Sequence, residues 1–310
     1  MEVTVAICTW NRADLLDKTL EQMRELRIPE RTEWELLVVN NNCTDNTDEV
    51  IARHQKNLPI RRLFEKKPGL SNARNCAMDA ALGQLLVWTD DDVLVSEGWL
   101  AEYVTAWKRF PSAAYFGGPV EPWYQSTPPE WVIKNQKQLE GVFALKNLSV
   151  EMRDMRGQEE PFGANMAYNA ERIGERRFNA DLGRMRDSLL SGEDVAFVDA
   201  LRHEGHQGVW VPGARVQHFV EQKRMTATYL WNFYVGWGRS LTRKNGNQPP
   251  EGPLFFGAPR WQWRRFLVFA ARGWLRKLVR HYDWVEDYMI AAMDWGAIKE
   301  LRAARQRGDE

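Results

Sequence analysis

Charge of one sign is the first thing this 310-residue sequence lacks: 42 Lys and Arg balance 42 Asp and Glu. The basic footprint that nucleic-acid binding leaves is absent, and no nucleic-acid partner is expected. Cysteine is scarce. Cys8, Cys43 and Cys76 follow no metal-ligand spacing, and an odd count suits a reducing compartment. No apolar run approaches the roughly 18 residues a spanning helix needs. Residues 1–10 enter a strand-like pattern with no basic start or cleavage site, so no signal peptide is expected. The expected location is the cytoplasm, or the cytosolic face of a membrane with peripheral attachment. The stretch TWNRADLL after the first strand holds no glycine. A Gly-rich phosphate loop and a G-x-G-x-x-G fingerprint are therefore both missing, which weighs against a nucleotidyltransferase and a dehydrogenase. Internal repeats and low-complexity segments are lacking too.

Tryptophan is plentiful, fifteen in all and mostly beyond residue 80. Its flat apolar face and single donor suit sugar stacking, membrane interfaces and ordinary cores alike. Earlier in the chain, β-branched and apolar runs at 3–10, 34–40, 60–65 and 84–92 alternate with segments of helical spacing. Asn11 or Asp14 would cap the first helix, Thr47 the second, and Gly83 would close the third. Such alternation predicts an α/β fold with a mainly parallel sheet flanked by helices. Ligands of these sheets gather at the carboxyl ends of the strands. Here those ends carry Thr9-Trp10-Asn11-Arg12, Asn40-Asn41-Asn42 and Asp90-Asp91-Asp92, which would converge on one edge.

Three consecutive aspartates after the buried run LLVW read two ways. Carboxylates on a turn suit a hard divalent cation, Mg²⁺ or Mn²⁺, held together with substrate phosphates. They also suit a solvated turn or the start of the helix near Ser96. Glu193 and Asp194 open another helix, where its dipole alone would favour acids. His218 stands alone in a strand, where a histidine is commonly structural. Asn41 to Asp45 read as an Asx-type turn before the second helix.

Five motifs, VAICTWNR, LLVVNNNCTDNT, GLSNARN, LLVWTDDDV and GEDVAFVDALRHEG…VPGARVQH, come in an order that resembles family-2 glycosyltransferases. The resemblance spans about residues 1–220. It implies a GT-A type, Rossmann-like sheet and inverting sugar transfer from a nucleotide-sugar to an acceptor hydroxyl in polysaccharide or glycolipid synthesis. It puts the donor nucleotide on Thr9, Asn11, Arg12, Asn40, Arg74, Asp90 and Asp91. Asp92 and His218 then hold the divalent cation of the DxD motif, and Asp194 is the general base. Gly163, Ala164, Asn165 and Glu193 face donor sugar or a glycan or lipid-linked acceptor. The family has aspartate where this chain has Asn40. Uridine is the default base, with guanine and thymine open. A sugar-nucleotide-handling nucleotidyltransferase or a non-catalytic sugar-binding protein are the competing readings, the second opposed by the intact Asp90, Asp92 and Asp194.

The expected organisation is a nucleotide-sugar-binding half at 1–117 and an acceptor-binding half at 118–225. The second half includes an irregular, lid-like excursion at 122–160. A helical C-terminal extension follows at 226–310, broken near 245–253. Within it, 259–284 reads as a basic amphipathic helix that contacts a membrane surface, or as a core helix. Trp263, Phe266, Leu267, Ala270, Trp274, Leu278 and Tyr282 would form one stripe, opposite Arg265, Arg272, Arg276 and Arg280.

Overall fold

The run VTVAICT forms β1 (Val3–Thr9) and WELLVVN forms β2 (Trp34–Asn40), both buried almost throughout. Strands covered on both faces read as continuous apolar runs, which is why these segments do not alternate with polar residues. The computed structural model describes residues 1–180, 192–279 and 281–307. Residues 181–191 of the expected acceptor half, Arg280 of the expected basic face and the last three residues lie outside the described residues.

Two compact units share the chain: residues 1–123 with 144–219, and residues 124–143 with 220–310. Both expected halves fall mainly in the first. Its elements follow as α1 (Ala13–Met23), α2 (Thr47–His54), β3 (Ile60–Phe64), α3 (Leu70–Ala80), β4 (Leu85–Asp90), β5 (Val93–Val95), α4 (Trp99–Arg109), β6 (Tyr115–Gly117) and β7 (Val120–Tyr124). The short α5 (Glu130–Lys134) and α6 (Glu140–Phe143) belong to the second unit. The first then resumes with β8 (Arg153–Asp154), β9 (Asn165–Asn169), α7 (Ala170–Ile173), α8 (Glu193–His203), β10 (Gly208–Trp210) and β11 (Val216–Val220).

The main sheet runs β3-β2-β1-β4-β9-β6-β10-β8. The first four strands are parallel, β9 is antiparallel to both β4 and β6, and β10 returns parallel to β6. Side-chain alternation splits the core between two faces. Val3, Val5 and Ile7 meet Leu16 and Leu20 of α1, Val50 of α2 and Leu100 of α4. Ala6, Leu37 and Val39 meet Ala73 and Ala77 of α3, and Phe197, Val198 and Leu201 of α8. Helices thus cover a mainly parallel sheet on both sides.

Several local expectations change. α3 ends at Ala80, short of Gly83. That glycine is required because a Cβ there would lie 2.3 Å from Thr4 N, so the demand is close backbone approach rather than a helix stop. Neither Asn11 nor Asp14 caps α1; Asp45 Oδ2 does, accepting from Ala13 N at 3.0 Å. The same carboxylate accepts from the Thr47 hydroxyl at 2.6 Å and starts α2. The excursion at 122–160 is not irregular throughout. Val132, Leu139, Val142 and Phe143 are fully buried, because its apolar residues supply core.

In the second unit, α9 (Ala227–Lys244) is followed by the hairpin β12 (Leu254–Phe255) and β13 (Ala258–Pro259), then α10 (Arg260–Leu278) and α11 (Trp284–Arg307). Glycines set the crossing of α9 and α11. A Cβ on Gly238 would lie 2.1 Å from Met293 O, and one on Gly296 the same distance from Val235 O. Among the described residues no helix is long and apolar enough to cross a membrane.

The arginine face of α10 is half exposed, and it is ion-paired to α11 as well as open to water. Arg265 bonds Asp294 at 2.7 and 2.6 Å, and Arg272 and Arg276 bond Asp287 at 2.5 to 3.0 Å, both acids on α11. Within the expected apolar stripe, Phe266 stacks on Trp295 while Leu267, Trp274 and Leu278 remain exposed.

Candidate active site

Register brings the three strand ends together: Thr9 pairs with Asn40 and Cys8 with Asp90. β4 ends at Asp90, and the next two residues turn into β5. That three-residue strand pairs antiparallel with β11, matching Val93 with His218. Phe219 N donates to Asp92 O at 2.9 Å, which fixes the histidine beside the acidic turn. Ligand atoms of Asp90, Asp92 and His218 all lie within 4.8 Å of one another. His218 Nε2 is 3.5 Å from Asp92 Oδ1. Two carboxylates and an imidazole at this spacing fit a divalent cation of the Mn²⁺ or Mg²⁺ kind.

Arg12 sits on the same acids. Its Nη1 donates to Asp92 Oδ2 at 2.6 Å and Asp91 Oδ1 at 3.1 Å. Burial pushes the Asp91 carboxyl up to about 7, with the Arg12 guanidinium opposing and Asp92 adding to the rise. Burial works against the Arg12 charge, yet Asp92 and Asp91 hold its pKa above the usual arginine value. Asp91, read as a donor residue or turn support, is 5% exposed, and its carbonyl accepts from the Thr19 hydroxyl at 3.0 Å. It anchors the turn to α1.

A second polar group forms around Arg74. Its Nη1 donates to Glu193 Oε1 at 2.9 Å, and the guanidinium lies over the Phe178 ring at 5.2 Å. Burial opposes its charge, while Glu193, Asp194 and Asp90 hold its pKa up. Asp194 lies in the first turn of α8. Oδ2 accepts from Gly163 N at 2.9 Å and Oδ1 from Val195 N at the same distance. Gly163 must be glycine here, since a Cβ would lie 2.2 Å from Arg74 Nη2. Arg74 thereby couples the acidic turn electrostatically to the α8 carboxylates.

Other expected contacts are spent inside the protein. Asn165, read as facing donor sugar or acceptor, is fully buried and is corrected to a structural crosslink. Its Oδ1 accepts from Trp99 Nε1 at 2.8 Å and the Tyr103 hydroxyl at 2.7 Å, while Nδ2 donates to Pro119 O and Ala214 O. That uses its full hydrogen-bonding capacity. Ala164 is buried, its carbonyl accepting from the Thr89 hydroxyl at 2.9 Å. Asn40 donates to Asp48 Oδ1 at 2.7 Å and accepts from Cys43 N at 2.8 Å. Asn11, in the left-handed region at φ 51°, accepts from Thr44 N at 2.7 Å. Thr9 is 2% exposed, and its carbonyl accepts from Asn41 N. Asn41, read as part of a local Asx-type turn, instead donates to the carbonyls of Glu65 and Lys67 and accepts from Gly69 N, tying the β2 end to the segment before α3.

Asp48 and Phe178 escaped the sequence reading. Asp48 also takes Arg62 at 2.9 and 2.7 Å, and this pair orients the amide of Asn40. The one available signal was an acid in the first turn of the helix that follows Asn40.

The family model Glycosyl transferase family 2 matches residues 4–164, more than half of the chain. The chain belongs to glycosyl transferase family 2. This family-2 glycosyltransferase is 26% identical over 232 residues to "Succinoglycan biosynthesis protein ExoM" of Rhizobium meliloti (strain 1021), covering 74% of this chain and 71% of that protein. Its fold is similar to the mannosyltransferase PcManGT from Pyrobaculum calidifontis, solved in complex with GDP-Man and Mn²⁺. The TM-score is 0.63 at 18% identity, covering 97% of this chain and 87% of that one. It is also similar to Staphylococcus aureus TarS 1-349 in complex with UDP, with a TM-score of 0.54 at 14% identity, covering 99% and 92%. The GT-A type fold expected from the motifs is the fold observed. Family membership decides against the nucleotidyltransferase reading.

Proposed function

We propose that this glycosyltransferase moves a sugar, with inversion, from a nucleoside-diphosphate donor to a hydroxyl of a glycan or lipid-linked acceptor. The carrying observation is the Asp194 carboxylate, fixed by Gly163 N–H and Val195 N–H in the unit that also holds the Asp90, Asp92 and His218 cluster.

Both Asp194 oxygens accept backbone N–H groups, which fixes their direction and leaves lone pairs for one further proton. Asp194 takes the acceptor hydroxyl's proton as that oxygen attacks the anomeric carbon from the back. The bond from the anomeric carbon to the diphosphate oxygen breaks, and its electron pair leaves with the nucleoside diphosphate. Asp90, Asp92 and His218 would hold a divalent cation, which would supply Lewis-acid neutralisation of the charge on the departing diphosphate. Arg12, already paired with Asp91 and Asp92, adds fixed positive charge beside it. Arg74 and Glu193 hold the start of α8, and with it Asp194, in place.

Relatives inform the substrates. The Pyrobaculum calidifontis protein was solved with GDP-Man and Mn²⁺ and TarS with UDP, so a uridine or guanosine diphosphate sugar with Mn²⁺ is the first donor set to try. The likeness to a succinoglycan biosynthesis protein favours a growing polysaccharide as acceptor. The test is a thermal-shift panel of nucleoside diphosphates and their sugars with and without Mn²⁺, followed by product analysis of the anomeric configuration. Metal-independent binding, or a retained configuration, would overturn the proposal.

A further inference from the structure

One basic side of helix α10 is turned toward α11 and paired there. Its Arg265, Arg272 and Arg276 are engaged by the α11 acids Asp294 and Asp287, and this sets the opposite side outward. Arg260, Arg264, Leu267, Ala271, Trp274 and Leu278 recur in steps of four and three residues, one exposed stripe. Val268, Leu275 and Val279 flank it. Leu267, Trp274 and Leu278 are 60%, 63% and 61% exposed, and Val279 76%.

The patch continues past the helix start. Trp263 Nε1 donates to Phe255 O at 2.8 Å, and the two rings lie 6.4 Å apart. Beside it the hairpin offers Leu254, Phe255 and Phe256, all exposed. Apolar surface of this extent is seldom left to water.

Charge selects the occupant. The unit that carries this face has 18 Lys and Arg against 11 Asp and Glu, a net +7, and the other unit balances it with −7. Residues 259–282 contain seven Lys and Arg and no acid. Two copies meeting through this face would bring like charge together, whereas an anionic surface would not. A tryptophan at the centre of an apolar stripe, led by exposed arginines, suits the boundary between headgroups and acyl chains.

We propose that the outer face of α10, with the hairpin at 254–256, docks on an anionic lipid bilayer, the helix lying in the interface plane. The proposal does not depend on the donor or mechanism given above. The full chain should float with vesicles of phosphatidylcholine and phosphatidylglycerol, and weakly with phosphatidylcholine alone or in high salt. The double variant Leu267→Glu, Leu275→Glu changes two side chains that are more than half exposed, so its circular dichroism and melting temperature should match the parent. Its vesicle-bound fraction should fall by about tenfold or more. Arg260→Glu with Arg264→Glu should weaken binding to the anionic vesicles only. Flotation that ignores lipid charge, flotation equal in parent and Leu variant, or none at all would overturn the proposal. So would a lipid-free dimer in light scattering that the Leu variant splits, since the occupant would then be a second copy.

Discussion

Arg74 Nη1 donates to Glu193 Oε1 at 2.9 Å, and the two side chains are 4% and 5% exposed. Removing one member leaves the other charged and without its partner in a low dielectric, at a cost of about 3–5 kcal/mol. Arg74→Met should therefore lower the melting temperature sharply. Arg74→Met combined with Glu193→Leu should regain most of that loss, because no charge of the pair remains buried alone. Transfer should stay depressed in the double variant, since Asp194 loses the guanidinium beside it. Melting curves and turnover on the four members of this cycle separate stability from positioning.

Asp194→Asn keeps the shape and the acceptor oxygen but removes the proton sink. Turnover should fall by about 10²–10⁴, the usual contribution of a general base. Donor affinity, measured by calorimetry, should stay within about threefold, because the substitution is nearly isosteric and the proposed donor site is the acidic turn. A variant that turns over normally would place the base elsewhere.

Gly163 is held between Arg74 and Asp194. A Cβ there would lie 2.2 Å from Arg74 Nη2 and 3.2 Å from Asp194 Oδ2. The Arg74 side chain is pinned by Glu193 and cannot yield freely. Gly163→Ala should cost activity by about tenfold or more through displaced Asp194, in line with the sensitivity of catalysis to small misplacements. Circular dichroism should be unchanged.

The parallel half of the sheet and the meeting of its strand ends were legible because local patterns carry them. Apolar runs ending in Thr9, Asn40 and Asp90 need only alternation with helices to converge. Asn165 was misread because its partners, Trp99, Tyr103, Pro119 and Ala214, come from distant segments, and no local pattern marks a buried amide. The ion pairs of the α10 arginines went unread for the same reason: their acids lie on α11, 11 to 29 residues away. β5 is three residues long, too short for any periodicity, yet its register is what delivers His218 to Asp92.

Arg12 occupies one oxygen of Asp92, a group assigned to the cation. Arg12→Gln should raise the melting-temperature gain from saturating Mn²⁺, since the metal no longer competes with a guanidinium and Asp91 and Asp92 regain from it the charge balance they lost. Asp92→Asn should abolish that gain. An equal Mn²⁺ shift in all three proteins would remove Asp92 from the metal site.

Glu300 crosslinks α11 to α9 by accepting from Arg243 at 2.8 and 3.1 Å and from Arg239 at 2.9 Å, its side chain fully buried. Hydrogen bonds from Arg243, then Arg239, outweigh burial and hold its carboxyl at about 2 instead of 4.5. A folded pKa below the unfolded one means the unfolded chain binds the proton more tightly. The stabilisation is then complete above pH 4.5 and drains away as pH falls from about 4.5 to about 2. Glu300→Gln should cost on the order of 2 kcal/mol at neutral pH, less than the full shift because the arginines are half exposed. Helical circular dichroism during acid titration should fall less steeply in the variant across that window. A parent whose stability is flat between pH 4.5 and 2, or a variant with the same slope, would mean that Glu300 is not what ties α11 to α9.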